Sequence, residues 1–234
     1  MPALSTSQER LIALRSSAWF DALAGEFQRW IADTARPLRL AAGERLFGRG
    51  EACSGVYFMV RGAIRISSLS ADGRESVLAF AEAPQWFGES ALFDGAPHSH
   101  DAWAESDALL LHLAQQPALE FLDSHPAHWG ALGLLLAGKL KLALIGVETG
   151  ALLPAPVRLA RRLAAIATGY GDWNGSHKRS IELQQDQLAA MVALSRQTVN
   201  QLLKEFEAQG VLLRTRGAIE IVDFERLWRI AELD

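Results

Sequence analysis

The chain has 234 residues, half of them hydrophobic and 21% charged, which excludes global disorder and allows one large domain or two small ones. The net charge of −4 speaks against a general nucleic-acid binder, and the single cysteine, Cys53, excludes an internal disulfide, a four-cysteine cluster and a zinc ribbon. The opening MPALSTSQER lacks the basic-then-apolar order of a signal peptide, and Lys139 and Lys141 interrupt the most apolar stretch, 129–147. These features predict a cytoplasmic protein with no membrane partner. The charge is unevenly placed. Residues 1–150 carry 12 Lys/Arg against 17 Asp/Glu, a balance of −5, whereas residues 157–217 carry nine against five, a balance of +4. An acidic front and a basic rear point to two modules with different partners.

In chain order, the first predicted element is helical. Trp19, Phe20, Leu23, Phe27, Trp30 and Ile31 recur at helical spacing and read as core packing, closed by Pro37. Residues 38–113 change to short β runs punctuated by turn residues. Runs at 56–60 and 63–66 flank Arg61 and Gly62, and Ala-Asp-Gly at 71–73 separates 64–69 from 76–80 as in a hairpin. A further run spans 108–113. Many short strands at regular spacing predict a sandwich or barrel.

From Pro126 the pattern is helical for more than 20 residues, with Leu132, Leu136, Leu140, Ala143 and Val147 in one stripe and Leu135 and Leu142 on another face. A helix this apolar around its circumference must be covered on two sides. One side can be the β domain, and the other is most simply the same helix of a second subunit. Pro154 and Pro156 mark the end of this helix and a domain boundary. The rear then reads as a helix over 158–168, a loop, a short strand at 181–183, helices over 185–192 and 196–209, and a hairpin of 211–213 and 218–221 around residues 214–217.

Two helices joined only by Ala193, Leu194 and Ser195 are the minimum helix-turn-helix. The Ser195 hydroxyl can cap the second helix. Val199, Leu202, Leu203 and Phe206 fall inward, and Arg196, Gln197, Asn200, Gln201 and Lys204 fall outward. Arg can pair with guanine O6/N7 and Gln with adenine N6/N7 through two hydrogen bonds each, which suits a major-groove reading face. Arg214 and Arg216 add a basic wing.

The segment LSRQTVNQLLKEFEAQGVL resembles the winged helix-turn-helix of the Crp/Fnr transcription regulators. VYFMVRGAIRI resembles that family's β-roll glycine motif, FGESALFDGAPHS its nucleotide-cradle segment, and 132–147 lies where its dimerisation helix lies. The resemblance implies an α+β fold: an N-terminal cyclic-nucleotide-binding-type β jelly roll with flanking helices over 1–125, a long central dimerisation helix over 126–153, and a C-terminal winged helix-turn-helix DNA-binding domain over 154–234. It implies a homodimer that binds double-stranded DNA, is controlled by an effector sensed in the front domain, and acts with RNA polymerase. The DNA-binding residues would be Arg196, Gln197, Thr198, Asn200, Gln201, Lys204, Arg214 and Arg216. Gln197 stands where many members have Glu, Gln201 where many have Arg, and Ala193 where a Gly is frequent.

The effector residues carried over are Gly88, Glu89, Ser90, His98 and Ser99. Gly88, Glu89 and Ser99 match the cyclic-AMP cradle, but His98 replaces the Arg that holds the cyclic phosphate. Ala143 and Leu144 replace hydroxyls that meet the adenine. This argues against cyclic AMP and leaves another nucleotide or small effector open. His98, His100 and Asp101 suggest a metal site only in that residues two apart face the same side of a strand; no further convergent ligand is visible, so no metal is expected. No catalytic motif is present, neither G-x-S-x-G nor a phosphate-binding P-loop, so no enzyme is expected. A cyclic-nucleotide-binding module working mainly through protein interaction is the alternative, and the basic reading helix and wing argue against it.

Overall fold

The computed structural model describes residues 4–69, 72, 75–167, 180–181, 185–215 and 218–232. They fall into two compact units, Met1–Ala137 and Gly138–Asp234.

The front unit opens with α1 (Ser7–Leu14), α2 (Ala18–Asp21) and α3 (Gly25–Thr34). Thr6 and Glu9 form a reciprocal capping box at the start of α1. Arg10, only 6% exposed, donates to the carbonyls of Ala32 and Leu4 and so ties α1 to α3. The aromatic stripe at 19–31 is two helices. The buried Gln28 amide donates to the carbonyls of Phe20 and Asp21 at 3.0 and 2.9 Å, satisfying the last turn of α2 so that it can stop there.

The strands are β1 (Arg36–Leu40), β2 (Arg45–Phe47), β3 (Gly55–Arg61), β4 (Ala63–Leu69), β5 (Glu75–Glu82), β6 (Gln85–Phe87), β7 (Asp101–Ala104) and β8 (Ala108–Ala114), with a short α4 (Ala91–Asp94) between β6 and β7. They form two four-stranded antiparallel sheets, β1-β8-β3-β6 and β2-β7-β4-β5. The hairpin expected around residues 71–73 is β4–β5. Arg61 and Gly62 do not close a hairpin; they carry the chain from one sheet to the other. Gly62 holds φ +89°, and a side chain there would come within 2.6 Å of the Asp107 carbonyl.

Alternation along β3 and β8 sorts the core into two layers. Tyr57, Met59, Ala108 and Leu110 pack with Phe47, Ile64, Ala81 and Phe87 between the sheets. Val56, Phe58, Leu109, Leu111 and Leu113 face the other way and pack with Phe20, Phe27, Ile31 and Leu122 from α2, α3 and α5 (Gln115–Ser124).

A single 3-10 turn, Pro126–His128, leads into α6 (Trp129–Leu152), within which the division between units falls. The expected stripe on α6 is not uniform. Leu132 is 4% exposed because it completes the front core, so it cannot also serve as a free contact. Leu136 is half-buried, Ala143 is exposed, and Leu134, Leu140 and Leu144 are 74%, 59% and 60% exposed. The side chain of Val147 lies outside the described residues. Among those residues, no helix is long and apolar enough to cross a membrane.

The rear unit begins with α7 (Ala155–Ala167). Pro156 does not end a helix here; it sits in the first turn of α7, where no helical partner for its missing N–H is needed. Then follow β9 (Ser180–Ile181), α8 (Gln185–Met191), α9 (Arg196–Ala208), β10 (Leu212–Thr215), β11 (Ala218–Ile221) and α10 (Phe224–Ile230). Residue 168 of the expected helix, residues 169–178 of the expected loop and residues 182–183 of the expected strand lie outside the described residues. The three strands form one sheet in the order β10-β11-β9. Its core joins Leu159 and Leu163 of α7, Leu188 of α8, Val199, Leu203 and Phe206 of α9, and Leu212, Ile219 and Ile221 of the hairpin.

Candidate functional site

The joint between α8 and α9 explains how two short helices hold a fixed angle. Leu194 N–H donates to the Ala189 carbonyl at 3.1 Å and Ala193 N–H to that of Ala190 at 3.4 Å, closing α8 with a Schellman motif. The motif requires a left-handed residue, and Ala193 supplies it at φ +49°. Leu194 packs on the rear core, and an Arg158 N–H reaches the Ala193 carbonyl at 3.3 Å. Ser195 then caps α9: its hydroxyl accepts from the Thr198 N–H at 3.0 Å, and the two hydroxyls lie 2.8 Å apart.

The inward face of α9 is as periodicity predicts, with Val199, Leu202, Leu203 and Phe206 all buried. Arg196, Gln197, Gln201 and Lys204 are exposed, while Thr198 and Asn200 are half-buried. Arg196 lies in the first turn, paired with Asp186 of α8 at 3.3 Å on the surface. The Gln201 amide donates to Glu205 at 3.0 Å.

The wing differs from the expectation. Arg214 is not in the turn but in β10, and its groups are engaged with α9. Its backbone N–H and Nε donate to the two oxygens of Glu207 at 2.9 and 2.8 Å, and its Nη1 donates to Asn200 Oδ1 at 3.1 Å. The backbone N–H of Arg214, and then its guanidinium, hold the Glu207 carboxyl below its ordinary range. Glu207 was not among the residues singled out from the sequence. The available signal was that Asn200 and Glu207, two turns apart on α9, share a face. Arg216 lies outside the described residues.

In the front unit, Gly88 takes φ +90°, and a Cβ there would come 2.8 Å from the Gly55 carbonyl, so the end of β6 approaches the start of β3 only with glycine. Glu89 is 3% exposed, whereas Ser90 and Ser99 are exposed. His98 is half-buried. Its backbone exchanges hydrogen bonds with the 50–51 loop, from Gly50 N–H and to the Glu51 carbonyl. Its ring stacks on Phe47, and Nε2 has no hydrogen-bond partner among the described residues. Burial lowers the His98 pKa, against a smaller opposing pull from Glu51. Ser99 Oγ lies 2.8 Å from His100 Nδ1. Cys53 is half-buried in the loop before β3, not within a strand.

Residues 37–125 match the cyclic nucleotide-binding domain family, and residues 157–230 match the Crp-like helix-turn-helix domain family. A nucleotide-binding-type β roll joined to a winged helix-turn-helix defines a DNA-binding transcription regulator. The chain is 26% identical over 197 residues to a CRP-like cAMP-activated global transcriptional regulator of Mycobacterium tuberculosis, covering 84% of this chain and 88% of that one. It is 28% identical over 209 residues to the nitrogen fixation regulation protein FixK of Azorhizobium caulinodans, covering 82% and 81%. The chain belongs to the Crp/Fnr family of transcription regulators. The structure of FixK2 from Bradyrhizobium japonicum shares its fold, with a TM-score of 0.73 at 22% identity over 84% of this chain and 96% of that one.

Proposed function

We propose that the chain works as a homodimer that reads a near-palindromic DNA site with two copies of α9, under the control of a small effector other than cyclic AMP. Residues 1–125 sense, 126–153 pair the subunits, and 154–234 bind DNA. It acts in the cytoplasm, by binding and not by catalysis, and with RNA polymerase. The observation that carries this reading is the α8–α9 joint: a capped helix with a buried apolar face and an exposed face bearing Arg196, Gln197, Gln201 and Lys204. Such a face offers forked donors to base edges and cations to phosphates. Two-fold symmetry places the half-sites one helical turn, about 34 Å, apart.

Two observations favour an effector other than cyclic AMP. The position that would hold the cyclic phosphate carries a histidine whose ring is stacked on Phe47 and whose pKa is lowered by burial, so it supplies no fixed positive charge. The positions that would meet adenine are Ala143 and Leu144, without hydroxyls. A charge-assisted bond to phosphate is worth about 1.5–3 kcal/mol, and its loss weakens binding correspondingly.

The test is selection of binding sites from random DNA by the full chain and by Arg196→Ala at one salt concentration. Arg196→Ala is expected to cost about 1–3 kcal/mol per half-site and to relax the choice of one guanine. Unchanged site preference in that variant would show that α9 is not the reading helix.

A further inference from the structure

The bond between Arg214 and Asn200 bears on which base Asn200 can read. A guanidinium has only N–H donors, so the atom it meets at 3.1 Å must be the amide oxygen. The carboxamide of Asn200 is therefore held with its oxygen on the wing side, and it cannot flip without breaking that bond. Arg214 is itself fixed at two further points by Glu207, through Nε and through its own backbone N–H. The Arg214 side chain is about 27% exposed and the Glu207 side chain about 30%, so this clamp is half-buried between the helix and strand it joins.

We infer that Arg214 is a positioning residue for base recognition: it fixes the amide of Asn200 so that this residue meets DNA as a hydrogen-bond donor. The inference rests on the reading of α9 as the recognition helix. An asparagine free to turn favours adenine, accepting from N6 and donating to N7. With one lone pair of its oxygen taken by Arg214 and the oxygen held on the wing side, Asn200 leads with its –NH2 group. The base edge that takes two such donors is guanine, through O6 and N7. Arg214 thus influences sequence choice from the wing, without touching the base.

The experiment is binding-site selection by the full chain and three variants at one salt concentration. Asn200→Ala should flatten the preference at a single position in each half-site and so identify the base that Asn200 meets. The unaltered chain should favour guanine over adenine there. Arg214→Met, which keeps an apolar stem and removes every donor, should shift that one position towards adenine by about fivefold or more, the lower range for a two-bond base contact. The guanine assigned to Arg196 should stay. Arg214→Lys guards against misfolding of Arg214→Met. Its ammonium replaces a rigid planar fork with one point charge on a flexible stem, so the amide of Asn200 is no longer held in one orientation, and a shift in the same direction is expected with the wing charge retained.

Three outcomes would overturn the inference while leaving the recognition helix in place. One is uniform weakening on all sequences in both Arg214 variants, the behaviour of a buttress or a phosphate contact. Another is an adenine preference at the Asn200 position in the unaltered chain. The third is no positional effect of Asn200→Ala. Failure of the unaltered chain to select any sequence would instead sink the proposed function, and this inference with it.

Discussion

The imidazole of His98 lies flat against the ring of Phe47, with centroids 3.7 Å apart and planes 4° from parallel. Phe47 in turn packs near Tyr57, 5.9 Å between centroids, and Tyr57 lies 5.2 Å from Phe87. His98 is thus the outer member of an aromatic row that begins in the core between the two sheets. Its role in packing and its suitability for anion binding are opposed: a ring that gains from burial resists the positive charge a phosphate would need.

Cyclic AMP is therefore expected to show no saturable low-micromolar binding to the full chain in isothermal titration calorimetry. His98→Arg should gain affinity for the phosphate without reaching tight binding, because Ala143 and Leu144 still offer adenine no hydroxyl. Tight binding by the unaltered chain would mean that His98 leaves Phe47 and takes up a proton from solvent when the anion binds.

The same burial sets a pH dependence. The folded-state pKa of His98 is depressed below its unfolded value, so the unfolded chain binds the proton more readily. Stability tied to neutral His98 is fully present above the ordinary histidine pKa. It is lost as the pH falls below that value and through the folded one. The urea midpoint of the front unit should drop between pH 7.5 and pH 4.5, and His98→Gln should remove part of that drop. Equal slopes in both proteins would assign the drop to other groups.

Ala193 has a left-handed backbone, which costs an L-residue about 1–2 kcal/mol relative to the right-handed one. Glycine removes that cost but gives up about 0.4–1 kcal/mol through the freedom of the unfolded chain. Ala193→Gly is thus expected to stabilise the rear unit by about 0.5–1 kcal/mol in urea titration, and Ala193→Val to destabilise it. DNA affinity should change little in the glycine variant, since the α8–α9 angle is already set by the Schellman bonds.

Asp186 holds Arg196 in a surface pair, with side chains 60% and 69% exposed. Such pairs are worth about 0–1 kcal/mol, so freeing the guanidinium costs little. Asp186→Asn should tighten DNA binding by up to about fivefold per half-site and speed association, read by fluorescence anisotropy at fixed salt. In the Arg196→Ala background the same change should give a smaller gain. Equal gains in both backgrounds would mean that only the overall charge matters.

Leu140 and Leu144 are exposed leucines near the middle of α6, four residues apart on one face. Covering what remains exposed is worth part of a whole side chain's contribution, about 1.5–3 kcal/mol, and this gain favours the proposed pairing of two copies of α6 there. Replacing both with Asp should convert a dimer into monomers in analytical ultracentrifugation, with the helical circular dichroism signal retained. A persistent dimer would place the contact on another surface.

The parts of this protein legible in the sequence are those fixed by short-range periodicity. Val199, Leu202, Leu203 and Phe206 share a face because 3.6 residues make a turn, and Ser195 caps that helix because its hydroxyl is one turn from the Thr198 N–H. The β4–β5 hairpin was legible because its turn residues lie between its strands. What spacing could not decide was which long-range partner each exposed or polar group would find. Leu132 shares a stripe with Leu140, yet only the packing of the front helices buries the first and leaves the second in water. Arg214 reads as a free cation beside a turn. Strand pairing with residues 218–221 extends the hairpin past it and brings its guanidinium to Glu207 and Asn200 on a different element. His98 likewise meets Phe47 only because β2 and the loop before β7 are brought together. Such contacts depend on the relative placement of whole elements, which burial of the shared core decides, and no residue spacing along the chain encodes them.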